Sequence, residues 1–254
     1  LLVPAAGAAE VGHSAMWLDM DGRKLDGTKV GHGISSSGVA LTRDRGERRE
    51  ARHYLYALLP VKRRGLYLYG FTRDADPAEG HSAMYQRLAK VEMPPAPDDW
   101  GWMQKHPRMS IAVHDRAAVI GCPWAGQVHA FEIAGDNAEP RGIIELPNVR
   151  GMVFDADGRL FVAAGTKLLR FDRPRPLDGE LGAAKTLASD LDDPNELTIG
   201  PDGRVYVAQA GESHQVRVFS AAGEKLRTIG KPGGPQFGLY DEQRMHNPAG
   251  IAVD

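Results

Sequence analysis

A repeat with a period of 45 residues constrains the fold of this chain more than any other feature. Residues 151–163 (GMVFDADGRLFVA) align without a gap with residues 196–208 (ELTIGPDGRVYVA). Each copy holds an alternating apolar stretch, an Asp-Gly dipeptide and a second β-rich stretch. Because Asp-Gly readily adopts the positive φ that a tight turn requires, each copy predicts a β-hairpin.

Two further strands complete the repeated unit. Residues 215–219 (QVRVF) follow the second hairpin, and a turn at Ala222 and Gly223 leads to residues 225–229 (KLRTI). Four short strands in about 40 residues match one blade of a β-propeller. Weaker copies predict an all-β propeller of four-stranded antiparallel blades, about four of them complete. The complete blades are predicted at about 38–91, 109–147, 150–188 and 195–230, and partial blades at 1–30 and 247–254.

Three features of this pattern leave alternatives open. Residues 12–17 (GHSAMW) and 80–85 (GHSAMY) match closely but fall in different predicted strands, so either the N-terminal register is shifted by one strand or the match is accidental. Residues 82–90 fit a helical period about as well as a strand period. Because the sequence stops inside a repeat, we expect a fragment of a larger ring; the alternative is a closed five-bladed ring in which the last predicted strand pairs with residues 1–3.

The composition narrows the class of protein. The 254 residues include 30 glycines and 17 prolines, as expected for many short strands joined by turns, and no apolar stretch is long enough to predict a membrane span. A net charge of -2 argues against a nucleic-acid partner. The two basic clusters, at 43–52 and 62–64, are predicted on opposite faces, so they do not form one groove for a nucleic acid. One cysteine, Cys122, excludes an internal disulfide framework and a multi-cysteine metal site.

A family resemblance covers roughly residues 147–254. Residues 194–219 (PNELTIGPDGRVYVAQAGESHQVRVF), followed by 222–230 (AGEKLRTIG), resemble an NHL repeat, and residues 230–254 open another repeat in the same style. The chain also resembles large bacterial propeller proteins built from such repeats. The resemblance implies a propeller fold and favours a periplasmic or extracellular location. Gln209 departs from the frequent family Asp, and Ser213, His214 and Gln215 replace Asn-His-Arg, which weakens any transfer of binding residues.

The candidate site follows from the predicted strand order. In a propeller, the loops before each first strand share one face with the loops between second and third strands, and polar groups that converge there are the default site hypothesis. The alternative for each residue is that its polar side chain merely holds a turn. We expect a protein or small-molecule ligand to bind this face. The candidate binding residues are His106, Arg150, Asn195, Glu196, His214, His246 and Asn247.

Two functions are consistent with the sequence. We favour a non-catalytic binding or scaffold module without a cofactor, because no Gly-x-Ser-x-Gly elbow, Walker loop or dinucleotide fingerprint occurs. The alternative rests on Pro194 and Asn195 with residues 201–204, which are similar to the gluconolactonase-like propellers. That similarity implies a metal-dependent hydrolase or lyase that holds a divalent cation such as Ca²⁺ or Zn²⁺, with Asn195 as a ligand. The early acidic ligand and the later Asp motif of that family have no counterpart in this sequence.

Overall fold

A computed structural model describes eleven parts of the chain, and every structural statement below concerns them. They are residues 2–5, 14–18, 24–30, 38–41, 55–61, 65–71, 85–92, 109–135, 137–238, 241–248 and 250–253.

The described strands form five antiparallel sheets in chain order. Sheet 1 contains β1 (Leu2–Ala5), β2 (Ser14–Leu18) and β3 (Lys24–Val30). Sheet 2 contains β4 (Gly38–Leu41), β5 (Leu55–Val61), β6 (Gly65–Phe71) and β7 (Tyr85–Val91). Sheet 3 contains β8 (Ser110–His114), β9 (Ala117–Cys122), β10 (Gln127–Ala134) and β11 (Asn137–Glu145). Sheet 4 contains β12 (Val149–Phe154), β13 (Leu160–Ala164), β14 (Lys167–Phe171) and β15 (Ala184–Ala188). Sheet 5 contains β16 (Pro194–Ile199), β17 (Val205–Gln209), β18 (Gln215–Phe219) and β19 (Lys225–Ile229).

Strands that follow one another in the sequence are hydrogen-bonded neighbours in every sheet. Four of the sheets have four strands, and the only helical element in the described residues is a single 3₁₀ turn at Pro176–Asp178. The predicted all-β class of four-stranded antiparallel blades is therefore confirmed.

The two Asp-Gly turns join the strands that the repeat predicts. Gly158 lies between β12 and β13 with φ 78°, and Gly203 lies between β16 and β17 with φ 76°. In the first turn Oδ1 of Asp155 accepts hydrogen bonds from the backbone amides of Asp157 (3.0 Å) and Arg159 (2.9 Å). The hairpins thus form from local turn chemistry.

The structure decides one of the open alternatives. Residues 85–91 form β7, which pairs with β6; the helical reading of residues 82–90 is wrong over this part, because pairing with β6 satisfies the backbone of β7 as a strand. Ser14–Leu18 is the middle strand of sheet 1, whereas Tyr85–Val91 is the outer strand of sheet 2. Of the similar segments at 12–17 and 80–85, residues 12, 13 and 80–84 lie outside the described residues.

The last predicted strand is absent from the described residues 250–253. Residues 250–253 do not form a strand, and none of the described strands is hydrogen-bonded to them. Ile251 and Val253 instead pack on a buried cluster that includes Tyr206, Val216 and Val218.

Contacts divide the chain into two compact units, residues 1–94 with 132–139, and residues 95–131 with 140–254. The hydrophobic core between sheets 3, 4 and 5 lies in the second unit. Alternate side chains of β13 face opposite ways: Leu160 and Val162 pack with Val119 and other residues of sheet 3, whereas Phe161 packs with residues of sheet 5. A strand covered on both faces is apolar at every position, and all five residues of β13 are buried.

Four large side chains of the two repeat copies lie at these cores. Phe154 packs against the core shared with sheet 3, Phe161 and Ile199 belong to the core shared by sheets 4 and 5, and Tyr206 faces the cluster that Ile251 covers. β12 and β16 approach so closely that a Cβ on Gly151 would lie 2.8 Å from both Cα of Glu196 and the backbone nitrogen of Leu197.

Candidate functional site

Polar side chains gather where β12 and β16 begin and where β17 ends, all within the second unit. Several of these residues have positive φ, which Asn, Asp and His tolerate better than most side chains. They are Asn148 (57°), Asp193 (44°), His214 (47°) and Asn247 (44°).

An ion pair connects sheets 4 and 5 at this end. Nη2 of Arg150, at the start of β12, lies 3.4 Å from Oδ1 of Asp193, which immediately precedes β16. The side chains are 27% and 55% exposed. A long contact between exposed groups contributes little stability, so the guanidinium can reorient toward a ligand without a large loss.

Asp192 fixes the loop between β17 and β18. Its Oδ2 accepts a 2.7 Å hydrogen bond from the backbone amide of Ser213, and its backbone amide donates to Oε1 of Gln209 at 2.8 Å. The backbone amide and then the hydroxyl of Ser213 lower the pKa of Asp192 below its usual value. The carboxylate is therefore charged at neutral pH and holds residues 211–213 in place.

Gln209 is fully buried beneath this loop. Its Nε2 has no hydrogen-bond partner among the described residues. A buried amide with an unused NH2 donor group makes this end of β17 polar inside an otherwise apolar strand.

The segment after sheet 5 brings further polar residues against the loop between β17 and β18. We call residues 230–238 and 241–248 the linker. Nδ1 of His214 accepts a 3.1 Å hydrogen bond from the backbone amide of Asn247, and the rings of His214 and His246 stack with centroids 5.7 Å apart. Nδ2 of Asn195 donates to the carbonyl of Pro248 at 3.2 Å, so the linker also contacts the start of β16.

The structure brings most of the sequence-predicted residues into two neighbouring groups. Arg150 lies with Asp193, and the other group joins Asn195, His214, His246 and Asn247 to the linker. Glu196 instead accepts a hydrogen bond from the next backbone amide, that of Leu197, and lies against Gly151. His106 lies outside the described residues.

The candidate residues predicted from the sequence do not include Asp192 and Asp193. The signal that could have found them is the acidic run at 190–193 (DLDD) directly before Pro194, because residues just before a first strand share a propeller face with the loop between the second and third strands.

The described residues contain no group of three or more His, Cys, Asp or Glu side chains that could hold a metal ion. Asn195 uses its amide nitrogen to hold the linker. Burial raises the pKa of the Cys122 thiol to about 11, so this cysteine is not a thiolate nucleophile at neutral pH.

No protein-family model matches the sequence, and neither does any curated protein. Solved structures do match. A 6-phosphogluconolactonase-like protein of Bacteroides uniformis is similar with a TM-score of 0.55 and 17% identity over 90% of this chain and 66% of that chain. This chain has a β-propeller fold. It spans less than two thirds of the length of that relative.

Two other propellers show the same likeness. A 6-phosphogluconolactonase-like protein of Bacteroides fragilis has a TM-score of 0.55 and 13% identity over 93% of this chain and 67% of its own. A calcium-binding protein, regucalcin, of Agrobacterium tumefaciens has a TM-score of 0.50 and 18% identity over 86% and 68%. Sequence identities this low show only that the folds are similar. In the described residues, no helix is long and apolar enough to cross a membrane.

Proposed function

We propose that this chain is a non-catalytic binding module of the NHL-propeller type that recognises a small, hydroxyl-rich acid. Its site is the polar surface, by which we mean Arg150, Asp192, Asp193, Asn195, His214, His246 and Asn247. The observation that carries the proposal is the set of side-chain contacts that connect sheets 4 and 5, the loop after β17 and the linker.

These contacts support binding because they hold the loop after β17 and the linker in one arrangement before a ligand arrives. A preorganised surface loses less conformational entropy on binding than flexible loops do. The 2.7 Å bond between Asp192 and Ser213 holds a loop that would otherwise be free to move.

The chemistry of the polar surface favours a ligand with both an acid and several hydroxyl groups. Arg150 offers a planar cation for a carboxylate or phosphate. Asp193 is exposed and accepts hydrogen bonds, as ligand hydroxyls require. A ligand with acidic groups alone fits less well, because it has no hydroxyl group that could donate a hydrogen bond to Asp193.

The solved neighbours suggest the ligand class to try first. Two of them are described as 6-phosphogluconolactonase-like. A sugar acid such as 6-phosphogluconate combines the phosphate, carboxylate and hydroxyl groups that the polar surface could recognise.

The alternative function is a metal-dependent lactone hydrolase, and the same neighbours favour it. The calcium-binding regucalcin shares the fold as well. The chemistry would then require a divalent cation near Asn195, with Asp192 or Asp193 as further oxygen ligands. Hydrolysis that depends on added cation distinguishes this function from simple binding.

Isothermal titration calorimetry with 6-phosphogluconate tests the proposal. Arg150→Ala should weaken binding about tenfold or more, because it removes a charge-assisted hydrogen bond. Lys225→Ala is the matched control, since this cation lies on the exposed outer strand β19. Equal affinity in the wild type and in Arg150→Ala, or no binding by the wild type, would contradict the proposal. Gluconolactone hydrolysis that starts only when CaCl₂ is added would replace it with the alternative.

A further inference from the structure

The linker is held against the loop after β17 by a small number of polar contacts. The backbone amide of Gly233 donates to the carbonyl of Ser213 at 3.2 Å, and Nε2 of Gln215 donates to the carbonyl of Gly230 at 2.8 Å. The third contact is the bond from the backbone amide of Asn247 to His214. Three consecutive residues, 213–215, therefore carry the attachment.

His214 is the centre of this attachment. A Cβ on Gly234 would lie 2.9 Å from Cδ2 of the His214 ring, so the linker backbone packs directly on the imidazole. The ring of His246 stacks on it with an interplanar angle of 27°. His214 is half-buried, and His246 is exposed to solvent.

We propose that His214 and His246 form a pH-sensitive latch for the linker. Nδ1 of His214 can accept the bond from Asn247 only while it carries no proton. A proton on that nitrogen turns the acceptor into a donor that faces another donor. A second proton on His246 places two cations at the 5.7 Å stacking distance.

The neighbouring charged groups do not supply this switch. The linker also carries Lys231, Asp241, Glu242 and Arg244, and the loop after β17 carries Glu212 and contacts Asp192. Lys231 pairs with Asp241, and Arg244 caps the carbonyls of Pro232 and Gly234. Histidine is the side-chain type whose charge changes between about pH 5 and 8, so the latch should loosen when the pH falls within this range. The inference does not depend on which ligand the polar surface binds.

Amide hydrogen exchange at Asn247, measured by NMR as a protection factor, tests the latch. We expect protection to fall roughly fivefold between pH 7.5 and 5.5, because one hydrogen bond is lost and a repulsion appears. Protection factors correct for the pH dependence of exchange in an unfolded chain. A change of less than about twofold would overturn the proposal.

Three variants separate the latch from a general effect of pH. His214→Asn keeps an acceptor near the same place, tolerates the positive φ and carries no charge, so Asn247 should stay protected at both pH values. His246→Phe keeps a stacking ring without its charge and should reduce the pH step. His114→Gln removes a histidine outside the latch and should leave the full step. An unchanged step in both His214→Asn and His246→Phe would overturn the proposal.

Gly234→Ala provides a test that does not involve charge. Its new methyl group would collide with the His214 ring, and its φ of 52° adds strain. We expect Asn247 to lose protection at both pH values. Normal protection in this variant would contradict the central place of His214 in the latch.

Discussion

The carboxylate of Asp192 accepts a 2.7 Å hydrogen bond from the backbone amide of Ser213, across 21 residues of sequence. This contact exists because β16 and β17 pair with Pro194 opposite Gln209, which brings the residues before β16 beside the loop that follows β17. The register of one hairpin thus determines which polar groups meet at the candidate site.

The first prediction concerns the space beside this carboxylate. A Cβ on Gly211 would overlap the carboxylate of Asp192, so Gly211→Ala must displace the group that holds Ser213. Gly211→Ala and Asp192→Ala should each lower the free energy of unfolding by about 1 kcal/mol. The double variant should lose clearly less than the sum, because alanine at 211 meets no clash once the carboxylate is gone. Urea denaturation of the four proteins measures this coupling, and strictly additive losses would show that the two residues act independently.

The second prediction concerns the close approach of sheets 4 and 5. Gly151→Ala places a methyl group against the backbone of Glu196 and Leu197 and should destabilise the protein by about 1–3 kcal/mol. The matched control is Gly142→Ala in β11, where the nearest atom to a new Cβ is 3.4 Å away. That variant should change stability by less than about 0.5 kcal/mol. Similar losses in both variants would argue against tight packing of β12 on β16.

The third prediction compares two phenylalanines. Phe161 is fully buried between sheets 4 and 5, whereas Phe237 in the linker is fully exposed. Phe161→Ala should cost about 3–5 kcal/mol through lost burial and the cavity that remains. Phe237→Ala should cost less than about 0.5 kcal/mol. Thermal and urea unfolding measure both, and a small loss for Phe161→Ala would contradict the inter-sheet core.

The fourth prediction concerns the pH dependence of stability. Burial lowers the pKa of His129 in β10. In the unfolded chain His129 takes up a proton near pH 6.5, whereas the folded chain does so only at lower pH. The unfolded state therefore binds more protons below about pH 6.5, and the free energy of unfolding falls there. His129→Leu should lose less stability than the wild type between pH 7.5 and 5.0 in urea titrations. Identical losses would show that His129 is not the buried group responsible.

The sequence was sufficient to predict the blades because their signals are local. Gly158 and Gly203 sit in Asp-Gly turns whose conformation depends on a few neighbouring residues. Residues 82–90 could not be decided in the same way, because their apolar spacing fits two periods. Pairing with β6 decides the outcome, and this pairing is a tertiary effect. Residues 250–253 have a strand-like sequence, but a strand also requires a hydrogen-bonded neighbour.

The candidate site could be predicted only in part. Strand order placed Arg150, Asn195 and His214 at one end of their blades, which is a consequence of topology. The contacts of Asp192 and Asp193 depend on the exact register between β16 and β17, and an acidic run in sequence is usually a solvated surface. The stacking of His214 on His246 depends on the path of the linker, which no periodic pattern encodes.

Mapping of amide chemical-shift changes during titration with 6-phosphogluconate tests the central claim most directly. If the polar surface is one binding site, the shifts should concentrate at residues 148–150, 192–196, 210–214 and 245–248, and they should shrink in Arg150→Ala but not in Lys225→Ala. Saturable shifts confined to other parts of the chain, or shifts equally large in Arg150→Ala, would contradict the account.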